Sequence, residues 1–443
     1  MEAEKTQSKR GGESIDDQRD RISELPDALI LQILSLLPTK SAIATSVLSK
    51  PWQFHWKMLP KLKFDHCDHI TERGTLSKNV CKVLLSHKAP VLESLHIDIR
   101  SGTCYNTDIE TWGEIANSRL VRNLAIHVET WKSFYTFPKS LYNSETLETL
   151  TLKGFVFEED VAVPSSQVCL KSLKTLHIQS AFFRGEEFVK LLSGCANLEN
   201  LLLDLCGYLC KVKTFAIAVP SLQRLSIYDS YDSGRDCGYV IDAPSLKYLK
   251  IEGEHGLKFR LTENVTKLEE AYIVDVSYHT INENLLESLT SVKRLSLELV
   301  PLKEVKFPTD SIFYQLVSLE IYTSTNAWWD LLTFMLDSSP ILQVLKLINT
   351  QKRGGWRQGF VAGRKWKQPE NVPECLLFHL ETFMWTGSDE GLVEEEKEVA
   401  KYILKNTNLL ERASFSSIRM SSEDRLELEC VVRASNSCQI LFE

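Results

Sequence analysis

Nucleophiles, imidazoles and carboxylates are all abundant in this 443-residue chain, so the question is whether any stand at a spacing that does chemistry. An activated serine needs Gly-x-Ser-x-Gly, and a phosphate cradle needs a glycine-rich loop closed by Gly-Lys-Ser/Thr. A dinucleotide site needs Gly-x-Gly-x-x-Gly, and a zinc peptidase helix needs His-Glu-x-x-His. None of these strings occurs. The 11 cysteines are scattered. Cys206 and Cys210, four apart and near Cys195, come closest to a metal-binding pattern, but no second pair of Cys or His follows at matching spacing. They read as reduced, buried structural thiols. No catalytic residue, metal or cofactor is expected, which leaves binding as the work of the chain.

The formal net charge is −8. Phosphate recognition needs a basic surface, so nucleic acid is not expected as a partner. Gln351 to Gln368 interleaves basic and aromatic residues with glycine. It reads either as a nucleic-acid arm or as a mobile loop between modules, and its shortness in an acidic chain favours the loop. Residues 1–18 are polar, lack the apolar core of a signal peptide and are expected to be disordered. No run of about 18 apolar residues exists, so no membrane span is expected. Cytoplasm, nucleus or both remain as the location.

Two kinds of element must position the binding residues. The longer part of the chain repeats a short string, Leu-x-x-Leu-x-Ile with conservative swaps. It begins at Leu92, Val121, Leu147, Leu173, Leu198, Leu222, Leu246, Leu268, Val292, Leu316 and Leu342. The interval is 22 to 29 residues by subtraction of those positions, the period of a leucine-rich repeat with one strand per turn. Alternate strand residues share a face, so Leu95 and Ile97 point inward and His96 outward. Stacked repeats then share one core, giving a curved solenoid with uneven connections. The connection from Gly185 to Asn200 is expected to hold a helix, with Phe188, Leu191 and Leu192 on its apolar face and Gly194 as its stop. Gly207 to Pro220 reads as irregular. Gly74 to Ser86 reads as a linking helix with Leu76, Val80, Val83 and Leu84 on one side.

The outward positions form a row of His96, Ala125, Thr151, His177, Leu202, Ser226, Lys250, Tyr272, Ser296, Glu320 and Lys346. No charge dominates it, and its histidines read as solvated rather than as metal ligands. Target contacts are expected here, with Tyr272 as the aromatic anchor and His177 and Lys250 flanking it. The loops and last repeats, including the insert near Trp356, are the competing location.

The second kind of element is the short stretch from Asp20 to Asp65. Leu29, Ile30, Ile33, Leu34 and Leu37 recur at helical spacing, Pro26 opens that helix and Pro38 closes it. Thr39 is expected to cap a second helix with Ile43, Val47 and Leu48 on its apolar face. Trp52, Phe54 and Trp56 crowd a third. Both faces of the first helix are apolar, and a unit of under about 60 residues is marginal alone. A protein partner is needed to cover one face.

These residues resemble the F-box in its plant form. The resemblance rests on Leu25-Pro26, on Ile33-Leu34-Ser35-Leu36-Leu37-Pro38, on Val47-Leu48-Ser49-Lys50, and on Trp52 and Trp56. Pro51 and His55 depart from it, where the family usually has Arg and Leu. The resemblance implies docking on the Skp-type adaptor of a cullin–RING ubiquitin ligase through Leu25, Pro26, Leu29, Ile33, Leu37, Pro38, Val47, Trp52 and Trp56. From Trp366 onward the chain resembles the FBD domain, which often follows an F-box and leucine-rich repeats in plant proteins. Trp366, Pro369, Val372-Pro373, Cys375-Leu376, Leu380, Trp385, Gly387, Ala400, Tyr402-Ile403-Leu404 and Leu409-Leu410 carry that match. Leu380 to Trp385 and Leu410 to Phe415 read as two further strands around an amphipathic helix from Leu392 to Lys405.

The expected organisation is an α/β chain: a tail over 1–18, an all-helical F-box over 19–65, a leucine-rich-repeat solenoid over 66–350, a glycine-rich basic loop over 351–365 and an FBD cap over 366–443. The resemblance implies a non-catalytic substrate-recognition subunit, bound through the adaptor to cullin and RING subunits, with an unnamed protein target. An adaptor-bound scaffold working outside the ligase is the alternative.

Overall fold

The computed structural model describes residues 25–443 apart from 49, 51, 66–74, 101–103, 130–134, 158–167, 184–186, 206–213, 230–237, 254–257, 264, 278–282, 301–310, 324–327, 350–365, 388–393 and 418–419. The N-terminal tail, Cys206, Cys210 and the glycine-rich basic loop lie outside the described residues.

The helical unit opens at Pro26, whose carbonyl accepts the first helical bonds from Leu29 and Ile30. Pro26 is the N-cap of α1 (Asp27–Ser35) rather than its first residue. Asp27 therefore sits in the first turn, where a carboxylate suits the helix dipole. Pro38 plays the same part for α2 (Thr39–Ala44), so Thr39 is inside the helix and not its cap. Its hydroxyl is buried and accepts a 2.6 Å bond from the backbone N–H of Lys63. α3 (Trp52–His55) completes the unit.

β1 (Lys61–Asp65) follows at once and pairs in parallel with β2 (Ser94–Arg100), which pairs with β3 (Asn123–Glu129). α4 (Thr75–Ser86) lies between the first two strands, with Val80 and Leu84 buried as the apolar spacing predicts. Among the described residues the ladder continues strand by strand to Gln439–Phe442; two short strands, Tyr135–Thr136 and Phe155–Phe157, join it at the end of Thr175–Phe183, and the whole sheet has seventeen strands. Before the last strand, where Ile440 and Phe442 are half-buried, the strands bury their alternate leucines and isoleucines completely, as at Leu95, Ile97, Leu225 and Ile227. One backbone position per repeat also links to the next. Lys174 N–H bonds to the Glu148 carbonyl, Glu199 to Lys174, Gln223 to Glu199, and so on until Gln439 N–H bonds to the Glu411 carbonyl, all at 2.8–2.9 Å. The stack is thus held by side-chain burial and by a line of main-chain bonds.

Behind the strands, the connections are of two types. Glu187–Ser193 is the expected helix, with Phe188, Leu191 and Leu192 buried. Gly194 ends it beside Val168, whose carbonyl oxygen would lie 2.4 Å from an added Cβ. The stretch from Gly207 to Pro220, read as irregular, contains a strand, Thr214–Ala218. It joins Gly238–Asp242 and Lys258–Leu261 in a separate three-stranded parallel sheet. Phe215, Tyr239 and Phe259 supply its buried aromatic side chains. They extend a run of ring contacts from Phe137 through Phe157, Phe183 and Phe188 to Phe215 and Tyr239, with centroids 4.5–5.3 Å apart. Aromatic contacts of this kind add about 0.5–1.5 kcal/mol each beyond area burial.

The segment after Trp366 continues the same sheet. The strands Thr382–Thr386 and Arg412–Ser416 stand where the repeat string predicts them, on either side of the helix Glu394–Asn406. A third strand, Gln439–Phe442, was not expected. The helix is tied to Ser422–Glu429 by Lys397, paired with Asp424, and by Lys401, 2.7 Å from Glu427.

Candidate docking and recognition surfaces

α1 divides its apolar residues between two sides. Ile30 and Leu34 are buried against α2 and α3, while Leu29 and Ile33 are each 44% exposed and Leu37 is 40% exposed. Pro26 and Pro38 are exposed and Leu25 is half-buried. Val47, Leu48, Phe54 and Met58 also face outward. α2 buries Thr39 and Ala42 and ends at Ala44; Val47 and Leu48 lie beyond it, in and just after the turn Thr45–Val47, and are exposed. Of the expected adaptor-binding residues, Leu29, Ile33, Leu37, Pro26, Pro38 and Val47 lie on the surface. Trp52 and Trp56 do not; both are buried and act as the floor on which the helices rest. His55 belongs to that floor. It is buried at the Trp52 ring edge and its Nε2 lies 3.0 Å from Asp27 Oδ1, so it ties α3 to the start of α1.

The unit is fastened to the sheet by more than β1. The Lys57 carbonyl accepts bonds from Lys88 and Ala89, and Ser94 N–H donates to the Pro60 carbonyl. His87 is buried there. Its Nε2 contacts the Leu59 carbonyl at 2.8 Å and its Nδ1 contacts the Arg119 guanidinium at 2.8 Å. Arginine only donates, so Nδ1 accepts and Nε2 carries the proton. Burial holds the His87 pKa below its ordinary value; the Leu59 bond opposes this and the Arg119 charge reinforces it.

The strand register places the expected outward row on one line: His96, Ala125, Thr151, His177, Leu202, Ser226, Lys250, Tyr272, Ser296, Glu320, Lys346. Lys63 extends it at one end, and Met384, Ser414 and Leu441 at the other. Lys250 and Tyr272 are neighbours, with the ammonium 5.3 Å from the ring centroid. His177 does not flank them. Leu202 and Ser226 intervene between it and Lys250, three strand spacings or about 14 Å.

Lys250 has other partners, which lie one pleat away on the same face. Its ammonium stands 4.6 Å above the Tyr228 ring and 3.0 Å from Glu252. Arg224 lies over Tyr248 at 4.1 Å. The Tyr272 and Tyr322 hydroxyls meet, and Tyr322 donates to Glu320 at 2.9 Å. Burial lowers the Lys250 pKa, but bonds to Tyr228 and Glu252 outweigh it and the net shift is upward. Burial likewise raises both tyrosines. At neutral pH the patch thus presents fixed cations and protonated phenols, a surface rich in aromatic faces and hydrogen-bond donors. Tyr228, Tyr248, Arg224 and Tyr322 escape a reading that follows one residue per strand. The signal for them was available: positions two before and two after each outward residue share its face.

The first strands carry a different population. His96 and His127 meet edge to face with centroids 4.9 Å apart. Burial is the main reason that His96, His127 and His177 all have lowered pKa values.

Residues 22–64 match the F-box domain, and residues 83–443 match the At1g61320/AtMIF1 leucine-rich-repeat domain. The chain is also 53% identical over 429 residues to an Arabidopsis thaliana protein named for its F-box, FBD and leucine-rich repeats, At4g13965, covering 96% of this chain and 97% of that one. The chain belongs to the F-box/FBD/LRR-repeat family. Two further Arabidopsis thaliana members, At3g52680 and At4g00160, are each 49% identical over 441 residues. They cover 96% of this chain, and 93% and 94% of their own lengths. In this family member the F-box match ends at Phe64, inside β1, so the two modules share a strand.

Proposed function

We propose that this F-box/FBD/LRR-repeat protein is the substrate-recognition subunit of an SCF-type cullin–RING ubiquitin ligase. F-box domains bind Skp-type adaptors. The observation that carries the reading is the uncovered apolar surface of the helical unit, Leu29 and Ile33 on α1 with Leu37, Val47 and Leu48 in the turns after α1 and α2, on a unit otherwise packed into the solenoid core. An apolar face of this kind is what an obligate partner covers. The solenoid then holds a protein target on its open strand face, and the patch around Lys250 and Tyr272 supplies aromatic anchors. The chain performs no covalent chemistry; cullin and RING subunits arrive through the adaptor. Cytoplasm and nucleus are the proposed locations.

Co-purification tests the reading. The full chain should bring down a Skp-type adaptor together with a cullin, and Leu29→Glu with Ile33→Glu should lose both. Adaptor without cullin would favour a scaffold acting outside the ligase, and capture of neither would reject the docking role.

A further inference from the structure

His96 and Asp98 stand two apart on β2 and share its open face. Asp98 is the register partner of His127 on β3, and Ala125, the partner of His96, is small. One ligand atom from each of His96, Asp98 and His127 lies within 4.8 Å of the other two, and all three side chains are half-buried. His127 Nε2 is itself fully enclosed and makes no hydrogen bond. A buried polar atom without a partner costs about 1–3 kcal/mol, so such an atom calls for a ligand.

We propose that His96, Asp98 and His127 form a three-ligand site for a divalent transition-metal ion of the zinc class, with the fourth position open on the strand face. Two imidazoles and a carboxylate suit zinc-type ions, whereas magnesium and calcium require oxygen ligands. Tetrahedral bonds of about 2.0–2.2 Å place neighbouring ligand atoms about 3.3–3.5 Å apart. Half-exposed side chains close the remaining distance by small rotations about χ1 and χ2. The surrounding charge favours a cation. Asp65 adjoins Asp98 in the register, and Lys153, next to His127, is paired with Glu129. Lys63, next to His96, is the opposing charge. Water or one donor from a bound protein completes the shell.

Equilibrium dialysis of the full chain against Zn2+ tests the site, comparing the wild type with a His96→Gln/His127→Gln double variant and with His177→Gln. The cysteines contribute equally to all three. The wild type and His177→Gln should each bind one equivalent more than the double variant. Co2+ in place of Zn2+ should give the intense visible absorption of a four-coordinate ion in the first two proteins and not in the third. Equal stoichiometry in the wild type and the double variant would overturn the proposal. Melting curves in chelator show whether the double variant folds. Should it not, Asp98→Asn keeps both rings and should weaken Zn2+ binding by at least about tenfold; unchanged affinity there would overturn the proposal equally.

Discussion

The helical unit and the strand ladder handle apolar side chains in opposite ways. In the ladder, the core-facing repeat leucines are 0–2% exposed and the open face is mixed, with charged, hydroxyl, imidazole and tyrosine side chains outnumbering apolar ones such as Leu202 and Met384. In the helical unit, eight large apolar side chains between Leu29 and Met58 are at least 40% exposed, while Thr39 and His55 are buried. The ladder therefore closes its core by itself, through repetition. The helical unit is complete only when something else covers it; of the polar groups it buries, Thr39 locks it to the ladder and His55 ties α3 to α1.

Substitutions break this contrast in order of size. Leu225→Ala removes a fully buried side chain from the middle of the stack and should cost about 2–5 kcal/mol in chemical denaturation. Its neighbour Ser226→Ala, on the open face, should stay within about 0.5 kcal/mol. Equal effects would mean that the faces are assigned wrongly. Leu29→Glu with Ile33→Glu should do the reverse, leaving the melting temperature unchanged and lowering adaptor affinity by at least about 2 kcal/mol, about thirtyfold. A lower melting temperature would show that α1 packs inward on both sides.

On the ladder itself, changing Tyr228, Lys250 and Tyr272 together to Ala should reduce proximity labelling of targets while adaptor binding persists. His177→Ala should leave the labelling intact. Loss with His177→Ala alone would move recognition to the first strands. At the joint, the depressed pKa of His87 sets a pH dependence. The unfolded chain takes up this proton near pH 6.5, and the folded chain only at lower pH. Its contribution is therefore full above about 6.5 and is lost as pH falls from there toward the folded value. Melting temperature should decline as pH falls below about 6.5, less steeply in His87→Gln. His96, His127 and His177 carry the same sign, so only part of the slope should vanish. A small effect is also expected from His55→Leu. It exchanges the contact with exposed Asp27 for an apolar group and removes a buried, unpartnered Nδ1, so stability should change by less than about 1 kcal/mol.

Much of the ladder was legible because each strand repeats a period-2 string at near-constant intervals. The register from His96 to Lys346 could be read before any coordinates. β1 was not, although Leu59-Pro60-Lys61-Leu62-Lys63-Phe64 is the same string with Phe in the last place; it follows directly on Trp56 and was absorbed into the helical unit. The second sheet was hidden because its strands are short segments whose burial depends on stacking against equivalent connections, a tertiary effect. The exposure of Val47 and the burial of Trp52 and Trp56 could not be told apart in advance, because hydrophobicity reports a wish for burial and does not name the burying partner. The His96–Asp98–His127 grouping was invisible for a related reason: its members are 31 residues apart from first to last by number, and only the β2–β3 register joins them.

The joint at Lys57, His87 and Thr39 turns the ladder into a ruler. Seven strand steps separate β1 from the strand bearing Lys250, about 34 Å along the sheet at about 4.8 Å per step. Because the helical unit is bolted to the first rung, that length does not vary with a hinge. Under the proposed function, a target seated at a given rung is held at a set reach from the ubiquitin-charged enzyme. Which of its lysines is modified then follows from the rung it occupies. Removing one repeat between β3 and Lys250 would shorten the reach by one rung and shift the modified lysine, with every contact at both ends unchanged.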